Sequence, residues 1–148
     1  MKALEWKNES LFLLNQTILP EQTEWIECKS VERVGEAIKR LEVRGAPAIG
    51  VAAGFGLVLA ARESKSKEEF LKKALILKEA RPTAVNLMWA IDKLVKKIEN
   101  IAFEDYVGEL EKEAQRLLEE DILMNHTMAQ YGAQLFDKPV TILTHCNT

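Results

Sequence analysis

The run APAIGVAAGFGLVLAA, Ala46 to Ala61, limits what this chain can fold into more than any other stretch. A helix through it is apolar on every side, so it must be enclosed by protein or set in lipid. It is about 16 residues long, short of the roughly 20 that a spanning helix needs. It also carries Gly50, Gly54 and Gly56 and has charged residues on both flanks. The expectation is therefore the central helix of a globular domain, with no membrane segment and with the glycines permitting tight helix packing. The chain has 148 residues and is 47% hydrophobic, enough for one ordinary core around such a helix.

The flanking sequence supplies the wrapping elements. MKALEW, SLFLLNQ and TEWIECK are short runs rich in aromatic and branched residues, separated by KNES and a loop containing Pro20. They predict a small antiparallel meander. Ser30 is a candidate N-cap, with Glu32 in the first turn and Val34, Ala37, Ile38 and Leu41 at helical spacing up to Arg44-Gly45. Pro47 opens the apolar helix, where a first-turn proline removes no needed donor. Ser66 caps a third helix through Phe70, Ala74 and Leu77. Pro82 is expected to open a fourth, with Val85, Trp89, Leu94 and Ile98 near one face. From Phe103 to about Phe136, the residues Tyr106, Leu110, Ala114, Leu117, Leu118 and Ile122 keep helical spacing. One helix of that length would reach roughly 50 Å, with a break expected near Asn125 or Gly132.

Asp137-Lys138-Pro139 reads as a stop, and Val140 to Thr144 as a buried parallel-sheet strand. The expected organisation is a β-meander and helical domain over 1–138, with 139–148 the first strand of a Rossmann-like α/β domain that continues past this sequence. The class is α+β.

Twenty basic and 23 acidic side chains leave a net charge of −3, and their mixing in KSKEEFLKKA marks solvated helix faces. No basic stripe points to nucleic acid. The two cysteines, Cys28 and Cys146, do not form a metal-ligand pattern. With no signal-peptide pattern, reduced thiols in the cytoplasm are expected.

Two segments share one design. In VRGAPAIG, Arg44 and Gly45 lead into a helix at Pro47; in ARPTAVN, Arg81 leads into one at Pro82. Each places a guanidinium where free N–H groups and the positive dipole end already favour an anion. Gly45 allows close backbone approach, and an arginine fork fits phosphate oxygens. The competing reading pairs both arginines with acidic side chains and makes Gly45 a helix C-cap. Cys146 also has two readings. A lone cysteine is usually a small buried hydrophobe, but this one follows an apolar strand, where α/β proteins build their sites. His145 points to the opposite face of an extended strand, which argues against a Cys–His dyad. His126 and Cys28 read as structural.

VRGAPAIGVAAGFG (Val43 to Gly56), ARPTAVNLMWA (Ala80 to Ala90), EEDILMN (Glu119 to Asn125) and TILTHCNT (Thr141 to Thr148) together resemble the methylthioribose-1-phosphate isomerase family. Its superfamily also holds ribose-1,5-bisphosphate isomerase and the regulatory subunits of the guanine-exchange factor for translation initiation. The resemblance runs along essentially the whole chain, and Pro47 with the ARPTAVNL segment favours the methylthioribose branch. It implies a small β meander and helical domain followed by a Rossmann-like domain, and a homodimer in the full-length enzyme. It further implies that Arg44, Gly45, Ala46 and Arg81 contact the substrate phosphate and that Cys146 is the catalytic cysteine. The cysteine's implied partner is an aspartate downstream of Thr148, so this chain alone is expected to be inactive. The implied substrate is a small sugar phosphate, with no metal or organic cofactor. Three alternatives stand beside this reading: ribose-1,5-bisphosphate isomerase, a non-catalytic regulatory subunit, and a free-standing helical interaction module.

Overall fold

In a computed structural model, residues 2–144 are described. Three strands, β1 (Leu4–Lys7), β2 (Ser10–Leu14) and β3 (Trp25–Cys28), form an antiparallel sheet in the order β1-β2-β3. The β1–β2 turn places Asn8 and Glu9 at φ 48° and 60°. That is the left-handed pair of a two-residue hairpin whose twist matches its strands. Leu4 pairs with Leu13, Trp6 with Leu11, and Leu11 and Leu13 with Cys28 and Ile26, so one face carries the apolar set.

Five α-helices follow: α1 (Val31–Lys39), α2 (Ala46–Glu63), α3 (Lys67–Glu79), α4 (Val85–Lys97) and α5 (Tyr106–Ala133), with a short 3-10 turn at Phe103–Asp105. Ser30 and Ser66 act as the expected caps, accepting from Arg33 N–H at 3.2 Å and Glu69 N–H at 3.3 Å. The centre of the molecule is α2. By length and composition it would pass for a membrane span, yet every residue from Ile49 to Ala61 is buried, and α1, α3, α4, α5 and the sheet all pack on it.

The three glycines make that enclosure possible, each against a different neighbour. A Cβ on Gly50 would lie 3.1 Å from the Asn86 carbonyl of α4, and one on Gly54 would lie 3.3 Å from Ala114 of α5. On Gly56 it would come within 2.8 Å of Leu77 in α3 and 3.1 Å of Val34 in α1. Trp6 stacks on Phe55 at 5.0 Å, tying β1 to α2, and its indole N–H donates to Glu111 of α5 at 2.8 Å.

Three expectations require correction. The fourth helix begins at Val85 rather than Pro82, because Arg81 to Ala84 close a turn in which Ala84 N–H donates to Arg81 O at 3.0 Å. Pro82 there serves the turn, whose second position its fixed φ suits. The buried face of α4 is Leu87, Ala90, Ile91 and Leu94, with Ile98 after it, while Val85 and Trp89 are exposed. The last helix runs without a break to Ala133, about 42 Å. Of the segment expected to begin a Rossmann-like domain, residues 140–144 are described; here they are exposed and carry no strand. A strand is defined by hydrogen bonds to a neighbour, and they have none among the described residues.

Only the first half of α5 belongs to the core. Tyr106, Leu110, Ala114 and Leu117 are buried, and the same helical stripe continues through Met124, Met128 and Tyr131, which are exposed.

Candidate anion-binding site

The helices differ in how their first turns are satisfied. α1 and α3 have serine caps and acidic residues in the first turn: Glu32 in α1, Glu68 and Glu69 in α3. α2 and α4 have neither. Their N-caps, Gly45 and Ala84, offer no side-chain acceptor. In α2, Pro47 has no N–H and Ile49 is bonded to Gly45 O at 3.0 Å, so helix geometry leaves the Ala46 and Ala48 donors open. In α4, Leu87 and Met88 both donate to Ala84 O, leaving Val85 and Asn86. Unsatisfied N–H groups and a positive dipole end with no carboxylate in the first turn favour an anion there.

The close approach of Gly50 to Asn86 puts the two helix starts side by side. A cavity of about 160 Å³ lies against them, lined by Pro47, Gly50, Asn86 and Trp89 and, from α5, by the carboxylate-bearing Glu120 and Asp121. Asn86 and Trp89 both lie in the ARPTAVNLMWA motif, but nothing in it marked either as a site residue. The signal was present as a mismatch of period: Trp89 falls between the buried positions Leu87, Ala90 and Ile91. A larger cleft, about 930 Å³, lies elsewhere, between α1 and α3.

Of the residues expected to hold phosphate, Arg44, Gly45 and Ala46 sit together, exposed, at the start of α2. Gly45 has φ 92°, a left-handed conformation that glycine adopts freely, so its role is to turn the chain into α2 rather than to cap α1, whose C-cap is Arg40. The Nε of Arg44 donates to Leu41 O at 3.3 Å. Among the described residues neither Arg44 nor Arg81 is ion-paired with a carboxylate, against the competing reading. Arg81, half-buried, lies four residues ahead of α4, not directly at its first turn. Cys146, with His145, lies outside the described residues.

Cys28 is fully buried. Burial pushes its thiol up to about 11, a shift that the positive charge of Arg33 partly offsets. It is thus a neutral core group, as the sequence suggested. Among the described residues no group of three His, Cys, Asp or Glu side chains converges on a metal-sized site.

Fold and site together define a class: an α+β domain built round one buried helix, in which the adjoining starts of α2 and α4 have neither a side-chain cap nor an acidic residue in the first turn. Residues 42–148 match the model of the Initiation factor 2 subunit family, and the chain belongs to that family. It is 47% identical over 150 residues to methylthioribose-1-phosphate isomerase of Thermotoga neapolitana, covering 99% of this chain and 44% of the relative. It is 46% identical to a putative methylthioribose-1-phosphate isomerase of Pyrococcus horikoshii, covering 99% of this chain and 42% of that one. The chain therefore spans less than half the length of these relatives. Among solved structures, 5-methylthioribose 1-phosphate isomerase from Pyrococcus horikoshii superposes with a TM-score of 0.83 at 44% identity, over 90% of this chain and 40% of that one. Translation initiation factor eIF-2B subunit delta from A. fulgidus also reaches 0.83, at 39% identity, over 92% and 42%. The fold alone does not separate enzyme from regulator.

Proposed function

We propose that this sequence is the phosphate-holding half of an aldose–ketose isomerase that converts 5-methylthioribose 1-phosphate to 5-methylthioribulose 1-phosphate. The observation that carries the reading is an identity of 43–47% with methylthioribose-1-phosphate isomerases along 99% or more of the chain. The site supports it, because the Arg-Gly-Ala segment sits at a helix start with open donors and no acidic residue in the first turn of that helix.

The chemistry asks for such a grip. Phosphate on C1 locks the sugar as a furanose, so no free aldehyde is available. The ring must open before hydrogen moves from C2 to C1. Arg44, the α2 amides and Arg81 hold the phosphate and fix the reacting carbons in place. Cys146 is one member of an acid–base pair, and its partner is an aspartate in a Rossmann-like domain to which 139–148 would contribute the first strand once the rest of that domain's sheet lies beside it. The enzyme works as a homodimer in the cytoplasm.

The test joins this chain to the remaining length of the Thermotoga neapolitana relative and measures turnover of 5-methylthioribose 1-phosphate. The chimera turns over, the 148-residue chain alone does not, and Cys146→Ser in the chimera falls to background. Robust turnover by the chain alone, or a folded chimera that binds no sugar phosphate, refutes the reading; the second result favours the regulatory relatives. Preference for ribose 1,5-bisphosphate would reassign the substrate.

A further inference from the structure

Just ahead of the exposed segment Arg44 to Pro47 in the chain, Glu42 belongs to a charge pair with no part in the chemistry above. Arg33, in the first turn of α1, brings Nη1 to 2.7 Å from Oε2 of Glu42, and both atoms are shut off from solvent. At that separation the guanidinium and the carboxylate are held together chiefly by their opposite charges. Glu42 is fixed on its backbone as well: its N–H donates to Ala37 O and its carbonyl accepts from Gln16 N–H, each at 2.9 Å. One residue before it, Leu41 turns the chain at φ 61°. One residue after it, Val43 is completely buried. The next four residues are all exposed.

The order along the chain is thus a turn, a buried clamp, and a presented anion segment. Arg44 is also tied back to the clamp, since its Nε donates to the Leu41 carbonyl. A shift of Glu42 would move Leu41 and Val43, and through them both the Arg44 side chain and the axis on which α2 starts. A buried ion pair adds little net stability over an apolar pair of the same size, so stability by itself does not account for charges at this point.

We infer that Arg33 and Glu42 are positioning residues of the anion segment, setting the direction in which Arg44 and the first N–H groups of α2 face a phosphate. This rests on the phosphate reading above. The rival explanation is a pair that only fastens α1 to the following loop.

The experiment titrates the chain with inorganic phosphate by NMR, following the Gly45 amide, alongside thermal unfolding. Variants are Arg33→Met with Glu42→Leu together, Arg33→Lys, and Glu42→Gln. In the double variant, Tm stays within a few degrees, the Gly45 resonance of the free protein moves, and phosphate affinity drops about tenfold. Arg33→Lys keeps most of the affinity. A folded double variant with the wild-type Gly45 shift and affinity overturns the inference while leaving the phosphate reading intact. If the double variant does not fold, Glu42→Gln decides: weakened binding with a shifted Gly45 amide supports the inference, and unchanged binding overturns it. Failure of the unmodified chain to bind phosphate refutes the phosphate reading itself, and this inference with it.

Discussion

Gly56 shows how much one hydrogen atom in place of a methyl group contributes to this fold. Its α-carbon faces Leu77 and Val34 at distances that leave no room for a Cβ, and both neighbours are fully enclosed. Gly108, on α5, has nothing within 4 Å of where a Cβ would sit. Alanine favours a helix over glycine by roughly 0.5–1 kcal/mol, whereas overpacking a closed core costs about 1–3 kcal/mol. Gly56→Ala should therefore lower the unfolding free energy and Gly108→Ala raise it. Urea denaturation of the two variants checks this, and a shared sign would contradict the packing argument. The glycines were visible in the sequence as packing residues, but which helix each one admits was not. That depends on rotations about α2 that no local pattern encodes.

Among the elements, α1, α2 and α3 are cross-linked by Lys73, whose ammonium reaches Glu32 and Glu63, each at 2.9 Å. The hydrogen bond from Lys73 holds the Glu32 carboxyl below the usual carboxylate range, and the same bond with that to Glu63 raises Lys73. The signs follow by linkage. The Glu32 contribution is complete above its unfolded value near pH 4.3 and is lost as pH falls through the depressed folded value. The Lys73 contribution is complete below about pH 10.4 and is lost as pH rises through the raised one. Lys73→Met should flatten both limbs of a stability–pH profile and leave neutral pH least altered in shape. Because Glu32 is well exposed, the effect is modest. A profile superposable on that of the unmodified chain would exclude the network. The elements were well signalled where side chains close their own ends, as at Ser30 and Ser66. Pro82 misled because a proline suits both a helix start and a turn, and only the Ala84 hydrogen bond to Arg81 separates them.

For the whole molecule, the stripe on α5 passes from core to surface along one continuous helix. Tyr106, Leu110 and Leu117 are covered, while Met124, Met128 and Tyr131 at the same angular position are open. Such a surface binds apolar probes and favours association. Met128→Lys with Tyr131→Lys should leave Tm nearly unchanged, reduce binding of an anilinonaphthalene dye and lower self-association in sedimentation. A large fall in Tm would mean that the stripe is part of the folded core. By itself the sequence determined that Ala46–Ala61 is an enclosed helix, because an all-round apolar surface admits few surroundings. It also determined the serine caps and the arginine–glycine start of α2, since these act over three or four residues. Tertiary structure decided which helices lie on α2, where α4 begins, that the starts of α2 and α4 adjoin, and where α5 leaves the core. Those outcomes depend on contacts between residues distant in sequence, and a periodic apolar stripe has the same pattern whether or not anything covers it.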